Sequence, residues 1–212
     1  MSLNNKRVLI TAGPTCVAID SVRVISNIAT GQTGILLAKE LNQAGAKVTL
    51  VLGPAEEHVP KGKISIIRFR FFEELRQAVK KELKQRYYDI IVHSAAVSDF
   101  KPKRFIKGKL ESEKSRVLEL SVLPKIVREI RRAAPSAELV MFKLEPCAVD
   151  AELMRRARNA LSEAGADLIV ANRISPRYRA YILDKHTKYA QANSRQALAR
   201  GLVRVLRDCK GR

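Results

Sequence analysis

Arg7-Val-Leu-Ile-Thr-Ala-Gly-Pro-Thr15 is the stretch whose reading decides the fold. An apolar, β-branched run over Arg7–Thr11 breaks into the turn cluster Ala12-Gly-Pro-Thr15, the pattern of a buried parallel strand that delivers a loop at its carboxyl end. A helix is predicted over Ile35–Ala44, with Leu37, Ala38 and Leu41 on one face and Gly45 as its stop. Between strand and helix runs Asp20-Ser-Val-Arg-Val-Ile-Ser-Asn-Ile-Ala-Thr-Gly-Gln-Thr-Gly34, which carries Arg23, Ser26, Asn27, Thr30 and Gly31. Connections this long in a compact α/β domain are usually functional.

Outward from this unit the pattern repeats. Strands are predicted at Lys47–Leu52, Ile64–Phe69, Tyr88–His93, Val117–Val122, Glu138–Lys143 and Asp167–Ala171. Helices fall at Phe72–Gln85, from Pro124 onward, from a cap at Asp150 to the stop at Gly165, and after a cap at Ser194, the last with Leu198, Leu202, Val205 and Leu206 inward. Tyr181-Ile-Leu-Asp and Tyr189-Ala-Gln read as a small C-terminal hairpin, and Lys101–Lys114 as a mobile loop, with a plain connector as the alternative. Strands that are continuous apolar runs alternating with helices give an α/β fold, a mostly parallel sheet covered on both faces, in one domain over residues 1–212. Ligands of such sheets sit beyond the carboxyl ends of the strands, which makes Thr11–Thr15, Ala95–Phe100, Phe142–Glu145 and Ala171–Arg173 the candidate walls of a site.

The 40 Lys and Arg residues outnumber the 21 Asp and Glu and leave a formal charge of +19. That balance points to anionic partners, whether phosphorylated metabolites, nucleic acid or acidic surfaces. The charge is dispersed rather than gathered into a tail and aromatic residues are few, which argues against a nucleic-acid platform. Cys16, Cys147 and Cys209 have no metal-ligand or Cys-x-x-Cys spacing and read as reduced thiols, Cys16 as a small buried one. His58, His93 and His186 are scattered. No apolar run is long enough to cross a bilayer and no signal peptide precedes the first strand, so the cytoplasm is the expected compartment.

Neither a Gly-x-Gly-x-x-Gly turn nor a phosphate loop ending in Gly-Lys-Ser/Thr is present. A hydroxyl- and glycine-rich approach to a helix amino terminus, Ser26-Asn-Ile-Ala-Thr-Gly31, still offers free N–H donors to a phosphate. Asn27 can donate and accept, and the Arg23 fork suits a carboxylate or phosphate. No hydroxyl–histidine–carboxylate set and no acid–base carboxylate pair stands near these loops. The chemistry left to them is positioning and electrostatic stabilisation of anionic groups.

Five spaced motifs carry a more specific resemblance: Ala12-Gly-Pro-Thr15, Ile19–Asn27 with Thr30-Gly31, Ala95-Ala-Val-Ser-Asp-Phe100, Phe142-Lys-Leu-Glu145 and Ala166–Asn172. In this order, over nearly the whole chain, they resemble the phosphopantothenoylcysteine synthetases, the phosphopantothenate–cysteine ligases of the DNA/pantothenate metabolism flavoprotein family. The resemblance implies a Rossmann-like, doubly wound fold, usually dimeric, using CTP or ATP with Mg²⁺. The 4′-phosphopantothenate carboxylate would be activated as an acyl-nucleotide with release of pyrophosphate and then attacked by the cysteine amine. The chain opens directly at the synthetase strand, as in the stand-alone form, so no flavin is expected.

Carried over by position, Asn27 resembles the asparagine that holds the acyl-nucleotide, and Arg23 an arginine of the same motif. Ser26, Thr30 and Gly31 complete the substrate loop. Gly13, Ala95 and Ala96 match backbone packed against the nucleotide, Asp99 the nucleotide-binding aspartate, Phe142 the phenylalanine beside the base, and Lys109 the first lysine of a flap closing over the phosphates. Two departures leave the nucleotide open. After Lys109 the flap reads Leu-Glu-Ser in place of further lysines. Ala160 and Ala164 stand where CTP-using bacterial members carry lysines, with Arg155, Arg156 and Arg158 a turn earlier. Two alternatives stand beside this reading: an NAD(P)-dependent Rossmann-type reductase and a basic nucleic-acid-binding protein.

Overall fold

The computed structural model describes residues 2–55 and 63–208; His58 and Cys209 lie outside them. In chain order the elements are β1 (Arg7–Ala12), β2 (Cys16–Ala18), β3 (Val24–Ser26), α1 (Gln32–Gln43), β4 (Lys47–Leu52), β5 (Ile64–Arg68), α2 (Phe72–Gln85), β6 (Ile90–His93), β7 (Phe100–Pro102), β8 (Leu120–Val122), α3 (Ile126–Ala133), β9 (Glu138–Leu144), α4 (Asp150–Ala164), β10 (Leu168–Arg173), β11 (Arg179–Leu183), β12 (Lys188–Ala192) and α5 (Arg195–Asp208).

Eight strands form one sheet in the order β12-β11-β10-β9-β6-β1-β4-β5. The six from β10 to β5 are parallel, and the predicted hairpin β11–β12 extends that sheet antiparallel to β10. Alternation along β1 sends Val8, Ile10 and Ala12 to one face and Leu9 to the other. On the first face α1 and α5 lay Leu37, Leu41, Leu198 and Leu202 against Val8, Ile10, Leu50 and Val170. On the second, Leu75 of α2, Ile130 of α3 and Leu153 and Leu161 of α4 cover Leu9, Ile91, Leu139 and Ile169.

Several expectations change in detail. The connection from β1 to α1 is not an open loop: β2 and β3 pair antiparallel into a hairpin, Cys16 opposite Ser26 and Ala18 opposite Val24. The strand expected over Val117–Val122 shortens to Leu120–Val122 and pairs with β7 outside the main sheet. α1 starts at Gln32, because Gly31 adopts a left-handed N-cap (φ 74°) that lets the helix begin a turn early. α3 starts two residues beyond Pro124, and Val149 rather than Asp150 is the N-cap of α4. Ser194 does accept the N–H of Ala197 at 3.1 Å, and Gly165 ends α4 at φ 65°.

Candidate active site

The chain lays β4 and β5 on one side of β1, then returns to place β6 on the other side, so the switch point of the sheet lies between β1 and β6. The carboxyl ends of β10, β9, β6 and β1 are contiguous along one edge, which gathers all four predicted walls.

At the switch point the two strands keep bonding after their ends. Ser94 donates its N–H to the Thr11 carbonyl (3.1 Å), Ala96 to the Gly13 carbonyl (3.0 Å) and Thr15 to the Ala96 carbonyl (3.1 Å). Ser98 donates its N–H to Thr15 Oγ1 at 2.8 Å, with the two hydroxyls 2.9 Å apart. This continuation requires bare backbone. Gly13 sits at φ 84°, where a β-carbon would stand 3.1 Å from Gly53, and a β-carbon on Gly34 would meet Ala12 Cβ at 2.2 Å. Beneath lies His93, buried, its Nδ1 2.8 Å from Thr11 Oγ1; burial lowers its pKa to about 4 and keeps the imidazole neutral.

The hairpin lays its substrate-loop residues over this floor. Asn27 donates from Nδ2 to the Ala96 carbonyl at 2.9 Å, and Ser26 Oγ donates to the Thr15 carbonyl at 3.2 Å. The amide is thereby oriented, with Oδ1 turned away from Ala96 as an acceptor. Past Asn27, the exposed Thr30 offers Oγ1 to the N–H of Gln32 at a long 3.4 Å, and Gly31, the N-cap of α1, has no side chain to add a cap. Gly13, Ala95, Ala96, Ser26, Asn27, Thr30 and Gly31 therefore share one neighbourhood.

Arg23 does not point into it. Its guanidinium is held by Asp20 Oδ2 at 2.8 Å and by the Leu110 carbonyl at 3.1 Å, because its own hairpin turn places a buried carboxylate within reach. That carboxylate also accepts the N–H of Val22 (2.8 Å) and of Arg23 (2.6 Å) through Oδ1, and of Leu110 (3.0 Å) through Oδ2. Asp20 is 2 % exposed, and these bonds, the one from Leu110 foremost, hold its pKa far below the carboxylate range. The sequence reading passed over Asp20, although an acid three residues before an arginine signals such a pairing.

The remaining predicted residues line the rim. Lys109 is exposed on the segment between β7 and β8, and its ammonium has no ion pair among the described residues. The segment itself is tied down rather than loose: Ile106 donates to the Ile19 carbonyl at 3.2 Å, and Gly108 both donates to Ser21 Oγ and accepts from the Ser21 N–H, each at 3.0 Å. Asp99 is exposed and bonded to Lys125 Nζ at 2.6 Å, a partner unforeseen because it arrives from the start of α3. Met141 of β9 is opposite His93, which sets the half-buried Phe142 one rung beyond the end of β6. Ala160 is half-buried against the core and Ala164 is buried, and Arg155 and Arg156 are engaged by Glu152. Cys16 is buried, as expected of a packing thiol.

Among the described residues no group of three or more His, Cys, Asp or Glu side chains could hold a metal ion, and no helix is long and apolar enough to cross a membrane.

Residues 3–208 match the family model described as the DNA/pantothenate metabolism flavoprotein C-terminal domain. The coenzyme A biosynthesis bifunctional protein CoaBC of Thermococcus kodakarensis is 40% identical over 171 residues, 81% of this chain and 42% of its own length. The chain spans about half the length of the curated relatives it matches. Among solved structures, the DNA/pantothenate metabolism flavoprotein from Streptococcus pneumoniae superposes with a TM-score of 0.85 at 26% identity, covering 95% of this chain and 98% of that one. The C-terminal domain of a coenzyme A biosynthesis bifunctional protein CoaBC gives 0.80 at 25% identity, over 97% and 96% of the two chains.

Proposed function

The chain belongs to the DNA/pantothenate metabolism flavoprotein C-terminal domain family, and from that premise we propose that it joins 4′-phosphopantothenate to cysteine at the β1/β6 switch point, through an acyl-nucleotide. The observation that carries this reading is the bond from Asn27 Nδ2 to the Ala96 carbonyl. It fixes an amide over bare backbone at the sheet's switch point and leaves Oδ1 to accept from an incoming amine. Holding the activated carboxylate and the cysteine amine in one place is most of what an acid–amine ligation demands of a protein.

Phosphates of the nucleotide would approach the first turn of α1, whose N–H groups and dipole favour anions. Lys109 would add a positive charge where pyrophosphate leaves. Gly13, Ala95 and Ala96 would let the nucleotide lie against backbone, with Phe142 beside the base and Asp99 at its rim. Ser26, Thr30 and Gly31 would shape the phosphopantothenate side, and Arg23 would serve by holding the turn. Magnesium enters on the triphosphate as part of the substrate, a mode that needs few protein carboxylates. Activation and amine attack change no oxidation state and call for no flavin. Either CTP or ATP is compatible with these groups. Free thiols at Cys16 and Cys147 suit a cytoplasmic setting.

A homodimer is part of the same proposal. Val22, Val24 and Ile28 near the hairpin and Phe100, Leu120 and Val122 of β7–β8 are exposed, an apolar area of the kind that marks an interface. Val122→Asp should yield monomers by sedimentation.

Pyrophosphate release that requires phosphopantothenate, run side by side with CTP and ATP, tests the activity. Asn27→Asp would set a carboxylate against the Ala96 carbonyl, so it should release pyrophosphate, accumulate the acyl-nucleotide and lose roughly 10²-fold or more in ligation. No phosphopantothenate-dependent release with either nucleotide would sink the reading.

A further inference from the structure

We infer that Asp20 is a positioning residue for Lys109: its buried carboxylate ties the flap backbone to the hairpin and so sets where the flap lysine stands. The inference rests on the reading of Lys109 as the residue that meets the nucleotide's phosphates.

Lys109 is held by its neighbours on both sides. Before it, Gly108 has its N–H bonded to Ser21 Oγ and its carbonyl bonded to the Ser21 N–H. After it, Leu110 has its N–H bonded to Asp20 Oδ2 and its carbonyl bonded to Arg23 Nη1, and that same nitrogen bonds Asp20 Oδ2. Asp20, Arg23 and Leu110 thus close a ring of three bonds across 90 residues of sequence. Both polar backbone groups on each side of Lys109 are taken up by Asp20, Ser21 and Arg23, and the lysine side chain is left exposed.

A carboxylate needed only for the hairpin turn would be served by the N–H groups of Val22 and Arg23 on Oδ1. Oδ2 is spent on Leu110 and on the guanidinium that grips Leu110. Gly108 adopts φ 89° with open space where a side chain would be, which bends the flap so that both its polar groups meet Ser21. The segment 19–23 is also the start of the loop that leads to Asn27, so one short piece of chain positions the residues proposed for both half-reactions. A lysine fixed in this way need not be ordered at the moment of reaction, and the benefit falls on kcat rather than on phosphopantothenate binding.

Kinetics and amide exchange on the intact chain test this: pyrophosphate release, its KM for phosphopantothenate and exchange at Leu110 and Gly108, with the kinetics repeated in the Asp20→Asn/Lys109→Ala double variant. Asp20→Asn puts an amide where Oδ2 meets two donors. It should lower kcat roughly tenfold or more, move the phosphopantothenate KM by less than about threefold, and raise Leu110 exchange roughly tenfold. On a Lys109→Ala background the same change should cost nothing further, since a misplaced lysine and an absent one are alike. Ser21→Ala, at an exposed position, keeps the test alive if Asp20→Asn does not fold; it should raise Gly108 exchange and lower kcat severalfold. Unchanged exchange at Leu110 or at Gly108 in the respective variants, or additive losses in the double variant, overturns the inference. Wild-type turnover in Lys109→Ala overturns the reading of Lys109 and the positioning role with it, while Leu110 exchange still reports whether the tie exists.

Discussion

Asp20 and Asp150 each join stretches of chain that are far apart in sequence, and they do it with opposite kinds of partner. Asp20, its side chain shielded from solvent, gathers three backbone N–H groups and one guanidinium. Asp150, a third exposed, takes Arg173 Nε at 3.1 Å and Arg179 Nη1 at 2.8 Å, with Tyr181 the foremost of the groups lowering its pKa. A carboxylate satisfied by backbone fixes the path of the chain. One satisfied by long arginines fixes mainly side chains, in water that screens them. Proposed chemistry gathers around the first kind and is absent around the second.

The sharpest way to break this comparison is Asp20→Ala, which leaves three backbone N–H groups and a guanidinium on the hairpin and flap without their acceptor. Exchange at Val22, Arg23 and Leu110 should accelerate together by roughly 100-fold, a cooperative local opening. If only Leu110 responds, the turn and the flap are separate units and the contrast with Asp150 weakens.

Acid separates the floor of the site from the tie above it. Folded His93 titrates at about 4 against an ordinary value of 6.5, so the unfolded chain takes up the proton first as pH falls. Stability should decline between about pH 6.5 and pH 4, by at most about 3.5 kcal/mol at ~1.4 kcal/mol per pH unit, and His93→Gln should flatten that slope in denaturant titrations. The Asp20 pKa is also lowered, but from the ordinary carboxylate range, so its contribution is complete above about pH 4 and is lost only in stronger acid. Coincident losses would mean that one transition governs both layers.

The smallest effect is expected at Asp150. Asp150→Asn should cost about 0.5 kcal/mol in low salt and nothing measurable at 1 M salt, with ligation unchanged. A large or salt-independent loss would place Asp150 with Asp20 and erase the distinction.

The sheet was legible because its strands are apolar runs stopped by turn residues; Thr11-Ala-Gly-Pro and His93-Ser-Ala-Ala mark the two ends that flank the switch point. The hairpin was not, because Cys16-Val-Ala and Val24-Ile-Ser are each three residues long and carry no period worth counting. The neighbourhood of Asn27 with Ala96 followed from motifs, yet no motif reveals a bond between a side chain and a carbonyl 69 residues on. Arg23 was expected to face the ligand because its fork suits anions; the anion it found belongs to the chain itself. Asp20 escaped notice for the converse reason, since most of its partners are peptide groups, which every residue has.

The tie between flap and hairpin gives the flap a parity. Ile106, Gly108 and Leu110 turn toward the hairpin at every second residue, and Lys109 falls in the alternate set. With bonding groups recurring at every second residue, a single residue gained or lost between Pro102 and Gly108 would exchange the outward and inward sets. A gain of two restores the frame. Length changes in that stretch should therefore be better tolerated in even steps, whereas residues 111–118, beyond the last bond to Asp20 and before the Glu119 carbonyl that accepts the Lys103 N–H, lie outside that tie.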